Sequence, residues 1–195
     1  LEPDAMRRSI SSADLDARLK NLVQKKNQVE KEYRDTNQRF WTLLFIDVSA
    51  SARHIWDRGE DTANQILNDY QQIVRETLKS NGVSFIEPGG GPQVVCCFEN
   101  PETGLLAAHD VILVLKEWDK TQPEDLHLLP AIGMHQGYIN FHGGTIHQSN
   151  TNNIAKRIQT EAGPGQVFVS REIQEELDSN PQFSFDLVGT FSLKN

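Results

Sequence analysis

The stretch Thr42-Leu43-Leu44-Phe45-Ile46-Asp47-Val48 marks where the globular part of the chain begins and what kind of element opens it. Its apolar, β-favouring residues read as a strand, and the run carries one acid, Asp47, near its end. A carboxylate among Phe45, Ile46 and Val48 is costly to bury without a partner. It needs a cation or hydrogen-bond donors, and read alone it caps a neighbouring element.

Upstream, residues 1–11 carry no periodic signal and read as disordered chain or linker. Ser11 and Ser12 then offer N-caps, and Asp14 falls in a first turn, where an acid favours the helix dipole. Leu15, Leu19, Leu22, Val29, Tyr33 and Phe40 come next at alternating spacings of four and three, with Lys26 and Thr36 in the two gaps. This is a heptad seam with two polar interruptions, on flanks rich in Lys, Glu, Gln, Asn and Arg. Residues 12–39 are therefore expected as one helix ahead of a domain at 40–195. The helix either packs on its own domain or forms a short parallel coiled coil that couples an upstream module to that domain. An apolar face without an obvious stop favours the coiled coil. The opening Leu1-Glu2-Pro3, without an initiator Met, reads as a piece cut from something longer.

Downstream, residues 63–78 place Ile66, Leu67, Tyr70, Ile73, Val74, Thr77 and Leu78 on one side of a helix, closed by Asn81-Gly82. Residues 83–86 and 94–98 read as a hairpin across the turn Gly89-Gly90-Gly91-Pro92. Residues 103–118 form a second helix after Asn100-Pro101-Glu102. Residues 129–135 and 138–141 are expected as a strand pair around Gln136-Gly137. Residues 152–161 are a third helix, broken by Gly163-Pro164-Gly165. Residues 166–170 are a strand, 171–177 a short helix, and the chain from Phe183 is strand-like. This order predicts an α+β fold, helices flanking one mostly antiparallel sheet.

The 195 residues carry 19 Lys and Arg against 27 Asp and Glu, a formal net charge of −8. That balance suits an acidic soluble protein and argues against nucleic-acid binding, which needs clustered Lys and Arg. No apolar run approaches the roughly 20 residues of a membrane span, and no secretory signal opens the chain. Cys96 and Cys97 are adjacent, so in a strand they point to opposite faces and do not bridge. They read as small buried residues in a reducing, cytoplasmic compartment, which also fits the cytoplasmic part of a larger or membrane-anchored signalling protein.

Five segments together resemble the catalytic domain of the class III adenylate and guanylate cyclases. Phe45-Ile46-Asp47-Val48 is similar to that family's opening F-x-D-I strand. Ala131-Ile132-Gly133-Met134-His135-Gln136-Gly137 resembles its IGIHxG strand and turn. Asn153-Ile154-Ala155-Lys156-Arg157 resembles its N-x-x-x-R helix, and Gly163-Pro164-Gly165-Gln166-Val167-Phe168-Val169-Ser170 its PGQVxVS strand. The segment from Val188-Gly189 to Leu193-Lys194 resembles the closing one. They stand in the family order and cover the chain from about residue 40 onward. The resemblance implies a ferredoxin-like cyclase fold, and the heptads suit a family whose catalytic domains often come after a dimeric signalling helix.

It also implies a mechanism. Family members dimerise head to tail, with the active site at the interface. One subunit's two aspartates hold two divalent ions, Mg2+ or Mn2+, on the triphosphate of ATP or GTP. The partner's Asn and Arg position the ribose and stabilise the phosphorane as the 3′-hydroxyl attacks and pyrophosphate leaves. On this chain the implied positions are Asp47 for the first metal aspartate, Asn153 and Arg157 for the catalytic pair, and Lys194 for nucleotide binding.

Other positions depart from the pattern. Counting back from Phe98, the K-x-x-G-D pattern of the hairpin puts Gly91 at its glycine and Pro92 at its aspartate, and proline has no side-chain acceptor. No shift of the alignment restores the acid, because residues 83–98 contain no aspartate. The lysine that would read the base falls at Glu87 or Pro88, and the second base-reading residue at Ile146, which cannot hydrogen-bond a base edge. The GFT that comes after the first strand becomes Ala50-Ser51-Ala52.

The residues also admit plainer readings. Asn153 and Arg157 alone are an exposed polar pair one helical turn apart; in context they mark a site. Glu87 lies across the hairpin from Pro92 and is a second candidate metal carboxylate. The glycine run is either a plain turn or an anion-binding nest. His135 reads as structural, and His142 and His147 flank Gly143-Gly144 with no third ligand, which argues against zinc. Trp56 and Trp118 read as core or interface anchors. Three functions are open on these grounds: a degenerate, catalytically weak or inactive homodimeric module; an active adenylate or guanylate cyclase using non-standard residues or a heterodimeric partner; and a nucleotide-sensing dimerisation module.

Overall fold

A computed structural model of the chain describes residues 12–48 and 52–189. The chain forms two units, one up to Gln38 and one from Arg39 onward. The first is a helix, α1 (Ser12–Asn37), with Asp14 in its first turn, Arg34 in its last and no buried residue. Leu15, Leu19, Leu22, Val29 and Tyr33 are all exposed along it.

Phe40 corrects the heptad reading. It lies in strand β1 (Gln38–Asp47) and meets Tyr138 edge-on, with ring centroids 5.2 Å apart. An aromatic residue spaced from Tyr33 by one heptad fits the seam or a strand equally well. The β-favouring run Phe40-Trp41-Thr42 decides for the strand.

The second unit is built on a six-stranded sheet. Its other strands are β2 (Phe85–Ile86), β3 (Gln93–Phe98), β4 (Ala131–His142), β5 (Thr145–His147) and β6 (Val167–Val169). Their order is β2-β3-β1-β4-β5, with β6 also paired to β4. The β1–β3, β2–β3 and β4–β5 pairs are antiparallel and β4–β6 is parallel. The helices are α2 (Glu60–Ser80), α3 (Pro101–Asp119), α4 (Asn150–Glu161) and α5 (Arg171–Leu177). The α+β architecture around a mostly antiparallel sheet is the one expected.

Side-chain alternation along β1 and β3 divides the core. Leu44, Ile46, Val94, Cys96 and Phe98 join Tyr70, Val74 and Leu78 of α2 and Val111 and Leu115 of α3 in the larger cluster. Leu43, Phe45, Val95 and Cys97 join Ile139, Ile146 and Ala155 of α4 in the smaller one. The adjacent cysteines thus split between the two, buried and free. Asn100 caps α3 by accepting from the Thr103 amide at 2.9 Å, ahead of Pro101 in the first turn, an arrangement worth about 1 kcal/mol.

Two local expectations are corrected. β4 runs straight through Gln136-Gly137, and the hairpin turns instead at Gly143-Gly144, into the unexpected strand β5. Both turn glycines have left-handed φ, 61° and 72°, the conformation a two-residue hairpin demands. Gly137 serves close packing: a Cβ there would lie 2.6 Å from Thr151 Oγ1. Residues 183–189 form no strand, although Phe183 and Phe185 pack against the larger cluster.

Candidate functional site

Asp47 ends β1 opposite Gln93, the first residue of β3. It has the parity of Leu43 and Phe45, so it lies on the α4 side of the sheet. Pro92 directly precedes Gln93, and its carbonyl accepts from the Val48 amide at 3.1 Å. The position expected to hold a second metal aspartate is therefore beside Asp47 in the ladder, and it offers no side-chain oxygen.

Helix α4 brings the other residues. Ser149 caps it, its hydroxyl accepting from the Asn152 amide at 3.3 Å. Thr151, Ala155 and Gln159 form its buried stripe, and Thr151 donates to the Tyr138 carbonyl at 2.8 Å. Asn153 is exposed and Arg157 half-buried one turn later. Gln148 reaches Asn153 Oδ1 at 3.5 Å, whereas Arg157 has no polar partner among the described residues.

Between them in sequence, Lys156 does what sequence reading missed. Its Nζ donates to Asp47 Oδ2 at 3.1 Å, Gln93 Oε1 at 2.9 Å and Gln159 Oε1 at 2.7 Å. It also stands 5.6 Å from the centre of the Phe45 ring, within cation–π range. Asp47 is only 12% exposed, so the ammonium supplies the partner its carboxylate requires.

The glycine turn is held from α2. Arg75 donates to the carbonyls of Glu87 at 3.2 Å and Gly89 at 2.8 Å. Gln71 donates to Gly91 and Gln93 at 2.5 and 3.2 Å and accepts from Arg75 at 3.0 Å. Pro88 is exposed. The Glu87 amide donates to the Val95 carbonyl, and Val95 pairs with Phe45 across β3 and β1. Glu87 therefore stands two strand spacings, about 10 Å, from β1. Burial raises its pKa, which disfavours the anion a metal would need. Ile146 is buried in the smaller cluster among Phe45, Val95 and Ile139. Lys194 and residues 49–51 lie outside the described residues.

These residues do not fit a pair of divalent ions. One carboxylate, already paired to an ammonium, stands at the site, and no group of three or more His, Cys, Asp or Glu able to hold a metal exists among the described residues. Hard divalent cations need several oxygen ligands with compensating negative charge.

A second polar cluster has the composition of a hydrolase triad without its geometry. His135 and Ser170 are both buried. His135 Nδ1 lies 2.9 Å from Ser170 Oγ and 3.7 Å from Glu172 Oε2. Both address the same ring nitrogen, so the imidazole cannot pass a proton between them, which requires opposite nitrogens. The cluster ties β4 to the start of α5, the structural role expected of His135. His142 and His147 stack face to face, centroids 3.7 Å apart. Trp118 packs on the larger cluster, while Trp56 is half exposed.

No protein-family sequence model matches the chain, and no curated protein matches it by sequence. Solved structures do match. The adenylate/guanylate cyclase/hydrolase from Silicibacter pomeroyi is 18% identical over 73% of this chain and 82% of its own, with a TM-score of 0.61. The monomeric guanylyl cyclase domain of the RhoGC fusion protein from the aquatic fungus Blastocladiella emersonii is 17% identical over 73% and 87%, at 0.59. The adenylyl cyclase CyaB from P. aeruginosa is 16% identical over 73% and 82%, at 0.58. The fold is that of the class III nucleotidyl cyclase catalytic domain. No helix among the described residues is long and apolar enough to cross a membrane.

Proposed function

We propose that this chain is a nucleotidyl cyclase homology domain acting as a signalling module, and that its homodimer does not turn over nucleotide at a significant rate. The reading rests on the ladder at the end of β1 and β3. Asp47 pairs with Gln93, the neighbouring position holds Pro92, and residues 83–98 supply no replacement aspartate. Losing one of two metal carboxylates removes several kcal/mol of transition-state stabilisation, on the order of 10³-fold or more in rate. Glu87 or Pro88 and Ile146 at the base-reading positions remove the polar groups that distinguish adenine from guanine. In this reading the module is cytoplasmic, dimerises head to tail and receives its signal through α1.

The test is an assay for cyclic AMP and cyclic GMP from ATP or GTP with Mg2+ or Mn2+. The expected result is no product above background. Product formation that Arg157→Ala abolishes would overturn the reading.

One observation supports a second role. Arg157 has no polar partner among the described residues and Asn153 is exposed, so both remain available to a different cyclase domain carrying both metal aspartates. Mixing this chain with such a domain, disabled at its own arginine, would then restore product, and Arg157→Ala in this chain would remove it.

A further inference from the structure

We propose that the ammonium of Lys156 is a built-in replacement for a divalent cation at Asp47, closing this position to metal. The inference rests on the same assignment of Asp47 as the proposed function. It goes further, because it names what occupies the position and from which element it comes.

The donor count comes first. A lysine ammonium has three N–H donors and no acceptor. Here three oxygens receive it: Asp47 Oδ2 on β1, Gln93 Oε1 on β3 and Gln159 Oε1 on α4. The Phe45 ring lies on the same side, 5.6 Å away. Each of the three donors thus has an acceptor within the chain.

Charge agrees with the count. One carboxylate and two neutral amide oxygens balance a single positive charge. A divalent ion in the same three oxygens would keep a net positive charge and would have to displace the lysine from Asp47 Oδ2. Mg2+ in particular demands near-octahedral oxygen ligation and gives up its waters reluctantly.

The fold fixes where the ammonium sits. Gln93 is the ladder partner of Asp47. Gln159 is held by a backbone approach to β4 that leaves no room for a Cβ at Gly133. Lys156 lies one turn before Gln159 on the same helix. Two of the three acceptors thus belong to the sheet and the third to the helix, so the lysine joins α4 to the ends of β1 and β3 as a bridging metal would.

The probe is Mn2+, titrated into the full chain while amide NMR signals are monitored for paramagnetic broadening. In the wild type, the amides of Asp47 and Gln93 should broaden no more than they do in Asp47→Asn. Lys156→Met removes the charge and keeps the length of the side chain. It should acquire Mn2+ binding at least ten-fold tighter than the wild type, with broadening centred on these residues, and the double variant Asp47→Asn/Lys156→Met should lose it. Selective broadening around Asp47 in the wild type would overturn the proposal, as would a folded Lys156→Met that gains nothing. If Lys156→Met does not fold, the wild-type titration alone decides. Cyclic nucleotide formation by the wild type would overturn the proposed function and leave the Mn2+ titration to judge the lysine.

Discussion

Gly133 of β4 and Gln159 of α4 meet backbone to backbone: a Cβ on Gly133 would stand 2.1 Å from the Gln159 nitrogen, 2.5 Å from its Cα and 2.6 Å from the Ala155 carbonyl oxygen. No rotamer change can relieve such a clash, because the opposing atoms are main chain. The helix lies this close to the strand because position 133 has no side chain, and the closeness is what lets Lys156 reach Asp47.

Gly133→Ala should therefore force α4 off the sheet. The expected cost is about 3 kcal/mol or more, the upper end for overpacking, read as a lower urea midpoint. Gly90→Ala is the control. A Cβ there meets nothing within 4 Å, so its effect should stay within about 0.5 kcal/mol. Equal effects of the two substitutions would refute the close-approach account.

Arg75 should matter more to the glycine turn than to the core. Its guanidinium binds two turn carbonyls and the Gln71 side chain at once, a planar multi-donor role that an ammonium cannot copy. Arg75→Ala and Arg75→Lys should each cost about 1–3 kcal/mol. Both should speed amide hydrogen exchange in residues 87–93 while leaving α3 unaffected. Uniform acceleration across the chain would show a global effect instead.

The sheet was legible in the sequence because its central strands are uninterrupted apolar runs, and α4 because a polar pair one turn apart sits on an amphipathic pattern. What misled were residues with two physical uses. Gly137 looked like a turn glycine, but it makes room for Thr151, while the turn belongs to Gly143-Gly144. Phe40 satisfied a heptad and a strand at once. At the site, Asp47 was legible as a carboxylate in need of a partner, and Pro92 as a position with no acceptor. Lys156 was not legible, because its acceptors Asp47 and Gln93 lie 109 and 63 residues away, and no local spacing encodes such a contact.

The His135 cluster gives the chain a pH signature. Burial lowers the His135 pKa below 6.5, with Glu172 pulling the other way. The unfolded chain then binds more protons than the folded one between the lowered value and 6.5, so stability falls as pH drops through that window. The slope cannot exceed about 1.4 kcal/mol per pH unit, the value for one proton. Glu172 is held below 4.5, first by its own backbone amide and also by Ser170 and His135. Its contribution is therefore present above 4.5 and is lost as pH falls through its folded value. Thermal midpoints of wild type and His135→Gln between pH 7.5 and 5 should diverge below 6.5, the variant showing the shallower decline. Parallel curves would assign the acid sensitivity elsewhere.

The heptad seam of α1 yields the last prediction. The helix is 26 residues long and buries none of them in the single chain. Helical stability in proteins comes mostly from packing an apolar face, and in the proposed dimer Leu15, Leu19, Leu22, Val29 and Tyr33 supply that face. Lys26 at one core position of such a seam favours a defined register at a cost in stability. Leu22→Asp places a charge in the seam, where burial without a partner is costly. It should weaken self-association of the full chain at least about ten-fold, equivalent to about 1.4 kcal/mol, measured by sedimentation or light scattering across a dilution series. Mn2+ titrations of the variant should match those of the wild type, since Asp47 and Lys156 meet within one chain. An unchanged dissociation constant would refute a self-association seam on α1.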